Sequence, residues 1–230
     1  SNLSRVIDEL DADILGVCEA ESETAVRELV MTLSTDYNYI YLVSSDRRGM
    51  DLALLYKGDK FIPEESRLVE SGYGREFLYV RGELYGHRID VVVCHLPSNL
   101  NSKKYKEQAF ESLREFVSIL HAADPESRIV MMGDFNATPT DSSMRHWFNT
   151  DHRHEDFFMD VFTPLARKGY GTYAYKGRWR LLDNIFLSER FGEAPLKYSG
   201  CGIFIRSYML DGSSGERGGY PLRTVSGRRY

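Results

Sequence analysis

The residues best suited to chemistry lie in Gly133-Asp134-Phe135-Asn136, which follows an apolar run at 129–132. Consecutive apolar residues predict a buried strand, and a glycine and Pro139 mark its end. Because side chains alternate along an extended chain, Asp134 and Asn136 would leave the strand tip on the same side. A carboxylate beside a carboxamide suits a water molecule or a divalent metal near a phosphate. The same pair is also typical of an Asx turn that only closes a strand.

Other acidic or polar side chains lie at the ends of further apolar runs. Glu19 follows the run 14–18, His95 follows the run 87–94, and Asp183 lies inside a third run. A carboxylate in such a place must be paired or hydrogen-bonded. Glu19 is equally well explained as a cap near the start of the next helix or as a functional acid. If the strands share one core, these groups converge at one rim, which is the layout expected of a metal-assisted hydrolase site.

The rest of the chain mixes helices and strands. Apolar residues at helical spacing predict helices, and alternating or continuous apolar runs predict strands. The predicted helices span residues 3–10, 22–33, 100–121 and 142–148. The predicted strands span residues 14–18, 39–43, 51–56, 61–69, 77–84, 87–94, 129–132, 171–176, 179–187 and 196–205. This mixture predicts an α/β or α+β protein with a layered sheet core, and 230 residues fit one large domain.

Composition restricts the possible function classes. The net charge of -5 argues against a broad basic surface for nonspecific nucleic-acid binding, although a locally basic cleft stays possible. The cysteine count is odd and no Cys-x-x-Cys spacing occurs, so Cys18 and Cys94 are interpreted as buried thiols. His152 and His154 have metal-pair spacing but are interpreted as exposed loop histidines. No apolar run is long enough to span a membrane and no signal peptide is present, so the compartment and oligomeric state stay open.

The order of these motifs resembles the endonuclease/exonuclease/phosphatase superfamily, the DNase I-like metal-dependent phosphoesterases. The resemblance extends from about residue 3 to residue 190, and Gly-Asp-Phe-Asn is its most specific motif. The matching segments are Asp13-Ile14-Leu15-Gly16-Val17-Cys18-Glu19, Gly49-Met50-Asp51-Leu52-Ala53-Leu54-Leu55-Tyr56, Val93-Cys94-His95-Leu96-Pro97-Ser98, Met132-Gly133-Asp134-Phe135-Asn136-Ala137-Thr138-Pro139 and Leu181-Leu182-Asp183-Asn184-Ile185-Phe186-Leu187-Ser188. The resemblance implies a four-layered α/β sandwich in which two packed mixed β-sheets are flanked by helices.

The resemblance also implies roles for individual residues and a cofactor. Glu19 would be the main metal ligand, with Asp134 as a second, and the ion would be Mg²⁺ or Mn²⁺. Asp134 and Asn136 would position or activate water and contact the phosphate, and His95 would contact or protonate it. Asp183 would orient a catalytic histidine. The substrate-binding residues would be Arg48, Ser98 and Asn136.

Two departures from the family pattern bear on activity. The family's opening strand, which carries an Asn, and its terminal Ser-Asp-His-x-Pro motif are not found between Ser1 and Tyr230. The expectation is a single domain over residues 1–230 that lacks the family's first and last strands and is a weak or inactive catalyst as it stands. The expected function is a Mg²⁺-dependent phosphoesterase, either a nuclease or a small-molecule or lipid phosphatase. The alternative is a binding protein on the same fold that has lost catalysis.

Overall fold

The computed structural model describes residues 2–45, 50–72, 74–98, 101–150, 157–212 and 218–222. Its helices are α1 (Asn2–Leu10), α2 (Glu23–Met31), α3 (Lys103–Ala123), α4 (Ser142–Phe148) and α5 (Thr163–Arg167). Its strands are β1 (Ile14–Ala20), β2 (Tyr37–Tyr41), β3 (Asp51–Lys57), β4 (Phe61–Glu70), β5 (Glu76–Leu84), β6 (His87–His95), β7 (Arg128–Asp134), β8 (Phe158–Asp160), β9 (Tyr173–Tyr175), β10 (Arg178–Arg180) and β11 (Asp183–Ser188). Among these described residues, no helix combines the length and apolarity that a bilayer-spanning segment needs.

The strands form two packed sheets and a separate hairpin. The large sheet has the order β4-β5-β6-β7-β11-β8, and the small sheet has the order β1-β3-β2. In the large sheet, β6 and β7 are parallel and the remaining neighbours are antiparallel, so this sheet is mixed as predicted. The described strands of the small sheet pair only in antiparallel fashion. Strands β9 and β10 form a two-stranded hairpin of their own.

Strand β6 shows why the molecule has layers. Its side chains alternate between two faces, and both faces are buried. Val91 and Val93 face the small sheet, in a cluster with Leu52 and Leu54 of β3. Val92 and Cys94 face the opposite way, in a cluster with the apolar face of α3.

The small sheet repeats this arrangement on its outer face. Ala53 and Leu55 of β3 point away from the large sheet and pack with Ile7 of α1 and Val26 of α2. The layers therefore run from α1 and α2, through the small and large sheets, to α3 and α4. The predicted four-layered α/β sandwich is confirmed.

Two strand predictions are wrong. The predicted strand 179–187 is two strands, because β10 pairs only with β9 whereas β11 pairs with β7 and β8. The predicted strand 196–205 forms no strand at all. Gly200 and Gly202 interrupt it, and glycine weakens a strand because it has no side chain to pack. The segment is instead held by apolar contacts of Leu196 and Ile203 with the cluster beside β8 and β11.

Candidate active site

The sheet topology brings three predicted site residues to the same edge of the large sheet. His95 is the last residue of β6 and lies opposite Asp134, the last residue of β7, because these strands are parallel and in register. Strand β11 runs the other way, and its first residue, Asp183, also lies opposite Asp134. A histidine, a carboxylate and a second carboxylate therefore stand side by side on adjacent strands.

Gly133 allows β7 to approach β6 closely at this edge. Its φ is 142°, a conformation that L side chains rarely adopt, and a Cβ there would lie 1.9 Å from the carbonyl oxygen of Cys94. After the strand, the backbone N–H of Asn136 donates to Asp134 Oδ1 at 2.7 Å. The Asx turn considered from the sequence is thus present, and it fixes the orientation of the Asp134 carboxylate. The Asn136 carboxamide Nδ2 donates to the Leu96 carbonyl at 2.9 Å, which ties this turn to the segment after β6.

Glu19 is presented from the small sheet by a β-bulge. The register between β1 and β3 shifts between Cys18 and Ala20, so Glu19 is the extra residue. Its φ is 62°, in the left-handed region that costs a non-glycine residue roughly 1–2 kcal/mol. Bulges of this kind re-aim a side chain and are common beside active sites. Glu19 is exposed and near enough to Asp134 for its charge to raise the pKa of that carboxyl.

The Asp134 carboxyl group has a strongly raised pKa, which distinguishes this edge from an ordinary strand end. The pKa of Asp134 is raised from 3.8 to about 7, first by burial and then by the negative charges of Asp183 and Glu19. The hydrogen bond from the Asn136 backbone and the positive charge of Arg75 oppose this rise. Strongly perturbed carboxyl groups of this kind concentrate at functional sites.

Asp183 is a second carboxyl group with a raised pKa. Its surface is exposed, but the surrounding protein displaces enough water to raise its pKa, while a hydrogen bond from the Thr172 hydroxyl lowers it. Two neighbouring carboxyl groups that both resist ionisation form a place where a cation or a proton binds favourably.

His95 is buried beside these carboxylates. Its Nε2 lies 3.8 Å from Asp134 Oδ2, which is too long for a hydrogen bond but within the range of an ion pair when the imidazole is protonated. The His95 carbonyl accepts a hydrogen bond from the Arg75 guanidinium at 3.0 Å. Arg75 therefore anchors the end of β6 and lowers the pKa of Asp134 at the same time.

The whole chain, residues 1–230, matches the sequence pattern of the Endonuclease/Exonuclease/phosphatase family. The chain is a member of this family. The predicted resemblance is thereby confirmed, and family and fold together point to a phosphoesterase. A search of curated proteins finds no match to this chain.

Solved structures share the fold at low sequence identity. Truncated TDP2 of Caenorhabditis elegans is 16% identical, with a TM-score of 0.60 over 81% of this chain and 75% of that chain. A mannosyl-6-phosphatase of Bacteroides thetaiotaomicron is 16% identical, with a TM-score of 0.61 over 82% of this chain and 75% of that chain. ANGEL2, described as a 2',3'-cyclic phosphatase, is 17% identical, with a TM-score of 0.64 over 82% of this chain and 72% of that chain. At these identities the similarity establishes the fold.

Family members generally use divalent metals, and the donor chemistry at this edge fits a hard cation such as Mg²⁺. Within the part of the chain that the structure describes, no group of three His, Cys, Asp or Glu side chains could hold a metal alone. Mg²⁺ is usually bound by one or two carboxylates together with water and substrate phosphate, so it does not require such a cage. A nearby cation would also stabilise the ionised forms of Asp134 and Asp183, the two carboxyl groups whose pKa values are raised.

Lys106 is a site residue that sequence reasoning missed. Its Nζ donates to the Asn136 carbonyl at 2.8 Å, and burial lowers the pKa of this lysine. A signal was available, since Lys106 lies one helical turn before Ala109 and Phe110 on the buried face of α3. Thr172 and Arg75 carried no comparable signal, because each lies in a connecting segment and reaches the site only through the folded chain.

The remaining predicted residues are placed less centrally or not described. Ser98 follows β6 by three residues, and its carbonyl accepts from the Asn101 backbone at 3.0 Å. Its role in substrate binding stays a prediction. Arg48, His152 and His154 lie outside the described residues.

Proposed function

We propose that this chain is a Mg²⁺-dependent phosphoesterase in which a water molecule attacks phosphorus in line with the departing oxygen. The observation that carries the proposal is the edge at which Asp134 lies in register with both His95 and Asp183. It combines a buried imidazole with a carboxyl group whose pKa is raised to about 7. Such a combination supplies a base and an acid at neutral pH.

Glu19 and Asp134 are the residues that would hold the metal. The bulge that presents Glu19 at the cost of a left-handed backbone supports this role, because such strain persists where function requires it. A bound Mg²⁺ would neutralise phosphate charge and stabilise the charge that develops in the transition state.

Asp134 would accept the proton of the attacking water. The Asn136 backbone N–H fixes one oxygen of the Asp134 carboxylate, and burial raises the pKa of this carboxyl group in the metal-free protein. The second oxygen, Oδ2, is the one that faces His95. Asp183 contributes by raising the pKa of Asp134, and the Thr172 hydroxyl holds Asp183 in place. Whether Asp183 also orients a catalytic histidine stays a prediction.

His95 would donate a proton or a hydrogen bond to an oxygen of the phosphate. Its ring is buried with Nε2 3.8 Å from Asp134 Oδ2, and Arg75 holds the backbone carbonyl of the same residue. Asn136 would donate to the phosphate through the second N–H of its carboxamide Nδ2, because the first is committed to the Leu96 carbonyl. Lys106, bonded to the Asn136 carbonyl, would add positive charge behind this contact.

The proposal is tested by hydrolysis of bis-p-nitrophenyl phosphate and p-nitrophenyl phosphate with Mg²⁺, with Mn²⁺ and with EDTA. We expect turnover that EDTA abolishes. Asp134→Asn and His95→Gln should each lower kcat/KM by about 10²–10⁴-fold, the usual contribution of a general acid or base. The relative rates on the two substrates distinguish a phosphodiesterase from a phosphomonoesterase.

Matched controls come from the opposite edge of the fold. His87 and His95 are the first and last residues of β6, so His87→Gln is the control for His95→Gln. Asp59 lies in the turn between β3 and β4, and Asp59→Asn is the control for Asp134→Asn. Equal losses in controls and site variants, or turnover that survives EDTA, would contradict the proposed mechanism. Absence of turnover together with Mg²⁺-dependent binding of phosphate esters would support the binding-protein alternative.

A further inference from the structure

A cavity of about 430 Å³ lies between the end of α5, the β9–β10 hairpin and the segment after residue 200. Most of its wall is apolar, and the side chains that matter for binding are Leu165, Lys168, Tyr170, Trp179, Ile203 and Ile205. This volume is within the range of about 300–1,000 Å³ that is typical of sites for small molecules. The cavity therefore has the size and the wall chemistry of a ligand site.

The apolar side chains around this cavity keep large exposed surfaces. Tyr170 is 57% exposed, Trp179 is 36% exposed and Ile205 is 50% exposed. A single exposed apolar residue is ordinary, but several that converge on one concavity indicate a binding site. The three residues come from different parts of the chain, so only the folded protein brings them together.

The walls of the cavity are held in place by hydrogen bonds and packing. Helix α5 ends in a glycine turn, in which Gly169 has a φ of 83° and the Tyr170 N–H donates to the Leu165 carbonyl at 3.1 Å. The Trp179 ring lies edge-on to the Tyr220 ring, with the centroids 5.5 Å apart. Because these walls are already ordered, a ligand would lose little affinity to the ordering of the protein.

The charge around the cavity favours an anion. The segment from Val161 to Leu182 contains no Asp or Glu, although the chain as a whole has a net charge of -5. Of the lining residues that the structure describes, Lys168 is the charged one, and none is a carboxylate. Tyr170 and Trp179 carry further hydrogen-bond donors, and the indole N–H cannot accept. One ammonium group and apolar walls suit a ligand with one negative charge and an apolar body.

The cavity and the candidate active site lie on opposite faces of the hairpin. One face carries four side chains that pair across the two strands, namely Tyr173, Tyr175, Arg178 and Arg180. From that face, the Arg180 guanidinium donates to Asp141 Oδ2 at 3.0 Å, in the segment that follows β7. Trp179 lies on the other face, opposite Ala174. A ligand in the cavity would therefore occupy a site of its own.

We propose that this cavity binds a medium-chain fatty acid. The alkyl chain would lie against Trp179, Ile203 and Ile205, and the carboxylate would pair with the exposed ammonium group of Lys168. A sugar or a nucleotide needs many hydrogen-bond partners, and the predominantly apolar walls supply few. The proposed function does not enter this inference, because the fatty acid is not a substrate and is bound apart from the candidate active site.

Binding is measured by the fluorescence of 1-anilinonaphthalene-8-sulfonate, a probe with an apolar body and one negative charge, and by its displacement with octanoate below the micelle concentration. EDTA is present throughout, so the measurement does not depend on catalysis. We expect octanoate to displace the probe. Octanol, which lacks the charge, should displace it more weakly, and acetate, which lacks the chain, should not displace it.

Two variants separate the apolar contact from the charge. Trp179→Ala should weaken octanoate binding by about tenfold or more, because a large aromatic side chain supplies much of the apolar contact area. Lys168→Gln should weaken octanoate binding by about threefold, as expected for an exposed ion pair, and leave octanol binding unchanged. Ile205→Ser, at a half-exposed position, tests the apolar wall again without changing the hairpin.

Matched controls come from exposed residues elsewhere. Ile62 on β4 is 61% exposed, and Lys104 is exposed near the start of α3. Ile62→Ser and Lys104→Gln should bind octanoate as the wild type does, and circular dichroism checks that every variant is folded. Equal octanoate affinity in the wild type and the cavity variants would overturn the inference, as would a bound probe that octanoate does not displace.

Sedimentation of the same proteins tests a second copy of the chain as the occupant. A dimer that Trp179→Ala dissociates, without octanoate binding, would assign the cavity to that contact and overturn the inference. Octanoate binding by a protein that hydrolyses no phosphate ester would sustain the inference and refute the enzyme. EDTA-sensitive hydrolysis without cavity-dependent octanoate binding would do the reverse.

Discussion

Replacement of Asp134 by asparagine should make the folded protein more stable at alkaline pH. Burial and the charges of Asp183 and Glu19 raise the pKa of Asp134 from 3.8 to about 7. A carboxyl group with a raised pKa favours folding in its protonated form, so its contribution is complete below pH 3.8 and is lost as the pH rises through about 7. Asparagine has no proton to lose, and it keeps the side-chain oxygen that accepts from the Asn136 backbone.

The magnitude follows from the size of the shift. A rise from 3.8 to about 7 corresponds to about 4 kcal/mol of differential stability between the protonated and ionised forms. The Asp134 side chain is 26% exposed, so solvent reduces this value, and we expect roughly 2–4 kcal/mol. Wild type and Asp134→Asn should therefore have similar free energies of unfolding near pH 4. By pH 8 the variant should be more stable by that amount.

The assay is urea unfolding followed by circular dichroism at a series of pH values, in EDTA. Subtracting the free energy of unfolding of the wild type from that of the variant at each pH removes the contributions of the other titrating groups. Asp59→Asn is the control, because Lys60 lowers the pKa of Asp59 and its replacement cannot produce a gain at high pH. Parallel curves for wild type and Asp134→Asn would refute the reasoning, since the carboxylate would then carry no penalty in the folded state. Saturating Mg²⁺ should narrow the gap at pH 8, because a ligand at 100 times its Kd adds about 2.7 kcal/mol to the protein that binds it.

Other substitutions test the elements that build the site. Glu19→Gly should abolish Mg²⁺ binding by calorimetry without lowering Tm, because glycine adopts the φ of 62° without strain; a fall of several degrees would make Glu19 a structural residue. Gly133→Ala should lower the free energy of unfolding by more than about 2 kcal/mol, because its Cβ would meet the Cys94 carbonyl at 1.9 Å. Gly192→Ala, which meets no atom within 4 Å, is its control, and equal urea midpoints for the two would contradict the geometry. Thr172→Val should move the acid limb of the kcat/KM pH profile to higher pH, because the Thr172 hydrogen bond lowers the pKa of Asp183; an unmoved limb would separate Asp183 from the reaction.

The sequence alone was sufficient to predict the fold class and the order along the chain of the residues that form the candidate site. Continuous apolar runs such as Val91–Val93 predicted a strand buried on both faces, which the two clusters around β6 confirm, and helical spacing identified α3. The polar residues at the ends of such runs could be identified because a buried strand cannot carry them unpaired. The placement of His95, Asp134 and Asp183 at one edge follows from these signals once the strands are paired in register. Their catalytic roles stay predictions.

The tertiary structure decided what depends on contacts between distant segments. The apolar run before Glu19 predicted that this residue lies at a strand end. Only the pairing of β1 with β3 shows that Glu19 is the extra residue of a β-bulge with a left-handed backbone. The segment 196–205 has enough apolar residues for a strand but pairs with none, because its two glycines weaken pairing and packing against β8 and β11 is sufficient to hold it.

The electrostatics of the site also required the folded chain. Arg75 and Lys106 reach Asp134 and Asn136 from other elements, and the pKa of Asp134 depends on charges contributed by β1 and β11. The shared face of Tyr173, Tyr175 and Arg178 likewise depends on hairpin register. A strand's period of two determines which neighbours share a face within one strand. Which residues of the next strand join them depends on the register of pairing, which the packing of the whole protein sets.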